Sequence, residues 1–122
     1  MPSTAAMLVR LCGSEEWSRA RDRGEIHPES PDRFVHLSTL EQVHLPANRL
    51  YHGRSDLLLL HIDPAVLDAP VRWEPGVPTD PESMLFPHLY GPLPVHAVVR
   101  VTAYLPGPDG TFPPEPPPQG ST

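Results

Sequence analysis

The chain has one cysteine, Cys12, and no lysine. A single thiol excludes an intrachain disulfide and any cysteine-built zinc cage. All nine cations are arginines, set against 15 carboxylates for a formal net charge of −6. Coating a nucleic acid takes clustered cations, so that class is set aside. No apolar run approaches the roughly 18 residues of a membrane span, and the N-terminus shows neither the basic nor the apolar region of a secretory signal. A soluble, cytoplasmic protein away from membranes is the expectation. Nucleophile-elbow, P-loop and Rossmann glycine patterns are also missing. Histidine is plentiful, at positions 27, 36, 44, 52, 61, 88 and 96, but no closely spaced pair on one helix turn appears. His44 and His52 are separated by Pro46. No metal is therefore expected, the alternative being a set built from His36, His88 and a carboxylate.

What is present fits one domain of mixed α+β class. A strand is expected over 7–12. A helix opening at Ser14 as cap, with Glu15 and Glu16 at the positive end of its dipole and Gly24 as its stop, follows. The stretch 34–37 reads as a short buried strand whose one polar residue is His36. Thr39 and Gln42 match a capping box, with Ser38 and Glu41 an overlapping alternative, which places a second helix over about 40–51, kinked or divided by Pro46. The apolar run 57–62 reads as a buried strand, 63–67 as a short helical turn, 71–74 as another strand and 95–105 as a long last one. Residues 75–84 form a loop. The domain is placed at 7–105, and 106–122, with seven prolines, as a disordered tail.

Two segments carry most of the chemistry. Phe34-Val35-His36-Leu37-Ser38-Thr39 and Phe86-Pro87-His88-Leu89-Tyr90-Gly91-Pro92-Leu93 each put a polar ring among apolar neighbours, where it needs a partner. With Tyr51-x-Gly53, Asp56-Leu57, Ile62-Asp63, Trp73-Glu74-Pro75 and Ala97-Val98 between and after them, these blocks form an ordered series over about residues 7–113. The series resembles the bacterial family known as domain of unknown function 952. That family in turn resembles the ADP-ribosyltransferase fold, a small split β-sheet that binds NAD in a cleft. Residues 34–38, with Arg33 before them, are also similar to a strand of the RNA 2′-phosphotransferases, which share that fold. The resemblance implies an NAD- or nucleotide-using transferase acting on a small molecule, a protein or an RNA end. Where transferases of this fold often carry a glutamate, this chain has His88 or Tyr90.

The residues themselves allow more than one reading. Arg10, on the first strand, is where the resemblance implies a nucleotide contact; a solvent-facing strand arginine is the alternative. Ser38 and Thr39 stand at a strand-to-helix junction suited to an anion, though capping alone explains both. Tyr51 offers a ring to stack on a base or on nicotinamide, or packs in the core. Arg49 and Arg54 flank it and can meet phosphates or water. His36 and His88 are candidates for acid/base work or for orienting a ribose, or are structural hydrogen-bonders. Glu74 orients a ribose, or becomes a general base if the adjacent indole raises its pKa, and otherwise closes a salt bridge. Tyr90 alternates with His88 and points the same way. The expected catalytic set is His36, His88, Glu74 and Tyr90; the expected cofactor contacts are Arg10, Ser38, Thr39 and Tyr51, with NAD as cofactor. A small-metabolite acid/base enzyme using the same cleft, or a non-catalytic binding module, are the rival readings.

Overall fold

The structure, a computed structural model, describes residues 7–28, 33–75 and 84–113. Its centre is a three-stranded antiparallel sheet in the order β1-β4-β8, from β1 (Leu8–Gly13), β4 (Leu57–Ile62) and β8 (Val98–Ala103). A second antiparallel sheet, in the order β3-β6-β5, uses β3 (Val35–His36), β6 (Leu85–Leu89) and β5 (Val71–Pro75). The pair β2 (Glu25–Ile26) and β7 (Leu93–Pro94) makes a third. With α1 (Ser14–Arg23) and α2 (His44–Leu50) in the N-terminal half, the class is α+β. The expected loop 75–84 and the end of the expected tail lie largely outside the described residues.

The run 57–62 is continuously apolar because β4 is covered on both faces, as buried strands are. Leu60 and Ile62 join the cluster that holds Leu8, Cys12, Ala20, Val35 and Leu89. Leu57 and Leu59 face the opposite cluster with Val9, Val43, Ala47, Tyr104 and Phe112. His61 is the buried exception. Its Nε2 lies 2.9 Å from Thr102 Oγ1 on β8, and burial pushes its pKa down.

Local chemistry explains most element ends. Gly24 stops α1 at φ 99° and donates its N–H to Ala20 at 2.7 Å, a conformation in which a side chain is strained. Ser14 is not the cap. Gly13 holds that position without a side-chain bond, and the Ser14 N–H donates to the Asp56 carbonyl at 3.1 Å instead. The second helix is also shorter than expected. Residues 40–43 are turns closed by Gln42 N–H to Thr39 O (3.1 Å) and Leu45 N–H to Gln42 O (2.9 Å). The α-helix proper begins at His44, so Pro46 falls in its first turn, where no N–H is needed, and the helix runs on to Leu50. The capping box does form, with Gln42 N–H on Thr39 Oγ1 at 3.2 Å and Thr39 N–H on Gln42 Oε1 at 3.4 Å, but it closes a turn.

The last strand is shorter than 95–105. Residues 95–97 are a 3-10 turn, and β8 pairs with β4 through an irregularity between His61 and Ile62. Residues 106–113 do more than trail from the domain. Phe112 is 1% exposed and stacks on Tyr104, ring centroids 4.9 Å apart. Asn48 of α2 clamps its backbone, donating to Phe112 O at 3.1 Å and accepting from Phe112 N–H at 2.7 Å. Residues 114–122 lie outside the described residues.

Candidate functional site

Antiparallel pairing sets the two marked segments side by side. Val35 stands opposite Leu89, and His36 opposite His88. Alternation along β3 buries Val35 and Leu37 on one face and leaves His36 exposed on the other, so the expected buried histidine is an exposed one. His88 is the buried ring of the pair, at 2%. Phe34 shares the His36 face. Its ring stacks on His88 with centroids 4.0 Å apart, and meets His36 edge-on at 4.8 Å. The two histidine rings are themselves 5.1 Å apart, edge to face.

Behind them, β5 lies next to β6 and supplies Glu74. One carboxylate oxygen, Oε1, accepts from Tyr90 Oη at 2.7 Å and from His88 Nδ1 at 2.9 Å. An ionised carboxylate only accepts, so the Nδ1 of His88 carries the proton in this bond. The Tyr90 bond, and then the His88 bond, hold the Glu74 carboxyl below its ordinary range. That is the reverse of the rise an adjacent indole would cause. Trp73 points to the other face of the strand and is 49% exposed. Tyr90 moves upward because its hydroxyl is committed to Glu74, and Arg72 lies over its ring at 4.9 Å. Glu74 and Tyr90 are thus an acceptor and a donor engaged with each other, with neither shifted toward the neutral range that suits a base at work near pH 7.

A cleft of about 200 Å³ opens on the other side of His36. Its walls come from β1 (Arg10, Leu11), α1 (Glu16), the strand-to-turn segment 36–38, α2 with its C-cap (Pro46, Arg49, Leu50, Tyr51) and Phe86 of β6. The backbone bridge between Val9 and Ser38, 2.8 Å in both directions, joins the two sheets beside it. Arg10 is largely buried. Its Nη2 donates to Glu16 Oε2 at 2.8 Å, its Nη1 to the His36 carbonyl at 3.3 Å, and its Nε is buried without a hydrogen-bond partner among the described residues. Cys12, beneath this pair, is pushed up to about 12 by burial and by Glu16, which removes it as a thiolate nucleophile.

Of the expected residues, Arg10, His36, Ser38 and Tyr51 line one cleft. Thr39 does not line it, and its hydroxyl is within 3.2 Å of Gln42 Oε1. His88, Glu74 and Tyr90 form a neighbouring cluster outside the lining, next to it through the His36 ring, 5.1 Å from that of His88. Glu16 was legible in principle, because a strand arginine among apolar neighbours calls for a nearby anion, and the acidic first turn of α1 supplies it. Phe34 was legible from its two-residue spacing to His36. Among the described residues, no group of three or more His, Cys, Asp or Glu is placed to hold a metal ion. None of the helices described is long and apolar enough to cross a membrane.

Known proteins narrow the setting. A search of curated proteins finds no match. Among solved structures, the chain is similar to the crystal structure of protein CC0527 from Caulobacter crescentus. That match has 28% sequence identity and a TM-score of 0.74, over 88% of this chain and 94% of that one. The solution NMR structure of CC0527 matches at 29% identity and a TM-score of 0.72, over 86% and 90% of the two chains. The family described as a protein of unknown function, DUF952, matches residues 11–101, most of the chain including the histidine pair and every cleft-lining residue but Arg10, and the chain belongs to that family.

Proposed function

We propose that the cleft binds a nucleotide, with NAD the first candidate, and that the chain is a transferase of the ADP-ribosyltransferase-like kind. The carrying observation is the composition of the cleft wall. In a chain of net charge −6, two arginines, Arg10 and Arg49, line the cleft against one carboxylate, Glu16, among the described residues, and they stand beside Tyr51, Phe86 and Leu50. Planar cations beside aromatic and apolar surfaces suit a phosphate joined to a flat ring. The resemblance of the sequence to NAD-binding folds favours the same ligand. A space of about 200 Å³ is smaller than the roughly 300–1,000 Å³ that enclose a whole drug-sized molecule, so one half of the dinucleotide fills it and the other lies across its mouth. In the reaction, the glycosidic bond of NAD breaks and nicotinamide leaves with the bonding electrons. The acceptor forms the new bond at C1′ and gives up its proton, which the imidazole of His36, at the cleft wall, takes up. The Glu74–His88–Tyr90 cluster holds Phe34 and His36 in place.

The small volume also favours a second reading, acid/base chemistry on a compact anionic metabolite in the same cleft. NAD titrated into the labelled protein, followed by NMR at His36 and Tyr51, separates the two. The proposal expects saturable shifts at both, and weakening by Arg49→Ala on the order of tenfold to a hundredfold, the worth of one charge-assisted hydrogen bond. Silence at millimolar NAD, with shifts from small phosphates or carboxylates, gives the cleft to the metabolite reading.

A further inference from the structure

We propose that Glu16 is the residue that recognises the sugar, its carboxylate binding the vicinal hydroxyls of a ribosyl group held in the cleft. This rests on the nucleotide reading and adds the chemical group that the cleft selects. Among the described residues, Glu16 is the one acidic side chain in the cleft wall, where a carboxylate repels phosphate. Two facts give it a place there. Arg10 Nη2 holds Oε2 at 2.8 Å, with Arg10 itself anchored on the His36 carbonyl, so the group is neutralised and oriented beforehand. A carboxylate also has about four acceptor sites and no donor; the Arg10 bond takes one of them and the Cys12 thiol another. Paired hydroxyls, which donate side by side, are the ligand groups that match what remains. The side chain is 36% exposed, enough to be reached from the cleft. Glu74, by contrast, stands outside the cleft wall and has one oxygen already engaged by both Tyr90 and His88.

The test measures binding by calorimetry of NAD and of two analogues, each lacking the vicinal hydroxyls on one of its riboses. The unaltered protein is expected to bind NAD at least tenfold more tightly than one of the analogues, a result that needs no substitution. Glu16→Gln, which keeps an oxygen for Arg10, is expected to weaken NAD by about the same factor and to leave that analogue unchanged; a thermal melt checks that the variant is folded. If Glu16 serves only to neutralise Arg10, the variant loses NAD and both analogues equally, and the sugar proposal fails while nucleotide binding stands. If the unaltered protein binds NAD and both analogues alike, the sugar proposal fails again. If it ignores all three, the nucleotide reading itself is gone and the assignment of Glu16 goes with it.

Discussion

Removing the Phe112 ring tests whether residues 106–113 belong to the folded unit. The ring is buried against Tyr104 in the cluster that contains Val43, Ala47, Leu57 and Leu59. Truncating a buried phenylalanine costs about 3–5 kcal/mol. The lower end is taken here, because neighbouring side chains of the cluster can close part of the cavity. With an unfolding entropy of about 2 cal/mol/K per residue, roughly 3 kcal/mol lowers Tm by about 12–15 °C for a chain of this size. Asn48 provides the control. Its two bonds to the Phe112 backbone are worth about 1–3 kcal/mol net, so Asn48→Ala alone gives a smaller loss. Once Phe112→Ala has released the segment, Asn48 has nothing to hold, and the double variant is expected to be little worse than Phe112→Ala. Urea unfolding of the four proteins measures this coupling, expected at about 1–2 kcal/mol. A Tm shift below about 4 °C for Phe112→Ala, or costs that add to within about 0.5 kcal/mol, would refute the reasoning.

Two further outcomes follow from the β5–β6 side of the molecule. A Cβ at Gly91 would sit 2.6 Å from the Ala69 Cβ, which is fixed to backbone and cannot swing aside. Gly91→Ala is therefore expected to cost about 1–3 kcal/mol in urea unfolding, and Ala69→Gly in the same chain to recover part of it; an unchanged midpoint for Gly91→Ala would show that the turn has room. The Tyr90 bond, with His88 second, holds Glu74 below the usual carboxylate range. A depressed folded pKa contributes stability that is complete above the unfolded carboxylate range and is lost as pH falls through the folded value. Glu74→Gln should thus be less stable at neutral pH yet decline less on acidification, and parallel stability–pH curves for the two proteins would contradict this.

Much of the framework was legible because single residues dictate it. Gly24 ends α1 since only glycine sits easily at its positive φ. The 57–62 run marks β4 because both its faces are covered. The pairing of the His36 and His88 segments was readable as a question, and the register answers it. What escaped has physical causes. His36 seemed buried because its sequence neighbours are apolar, yet neighbours on a strand point the other way. The capping box at Thr39 and Gln42 suits a helix start, but turn hydrogen bonds took over and moved the helix to His44. Phe112 stood among prolines, and no local pattern reveals that Tyr104 and Asn48 await it. Glu74 was read from the indole beside it in sequence, while its pKa follows Tyr90 and His88, which are close only in space.

Val9 and Ser38 exchange backbone hydrogen bonds at 2.8 Å where the two larger sheets meet, and the cleft straddles that junction. One wall belongs to the β1 sheet and the other to the strand paired with β6. Those backbone bonds do not act alone: Arg10 donates across the junction to the His36 carbonyl, and Leu8, Cys12, Leu60 and Ile62 of one sheet share a core with Val35 and Leu89 of the other. The width of the cleft is therefore set by packing between the sheets. A molecule gripping both walls would brace that joint, and a substitution in the shared core would be felt as a change in its affinity.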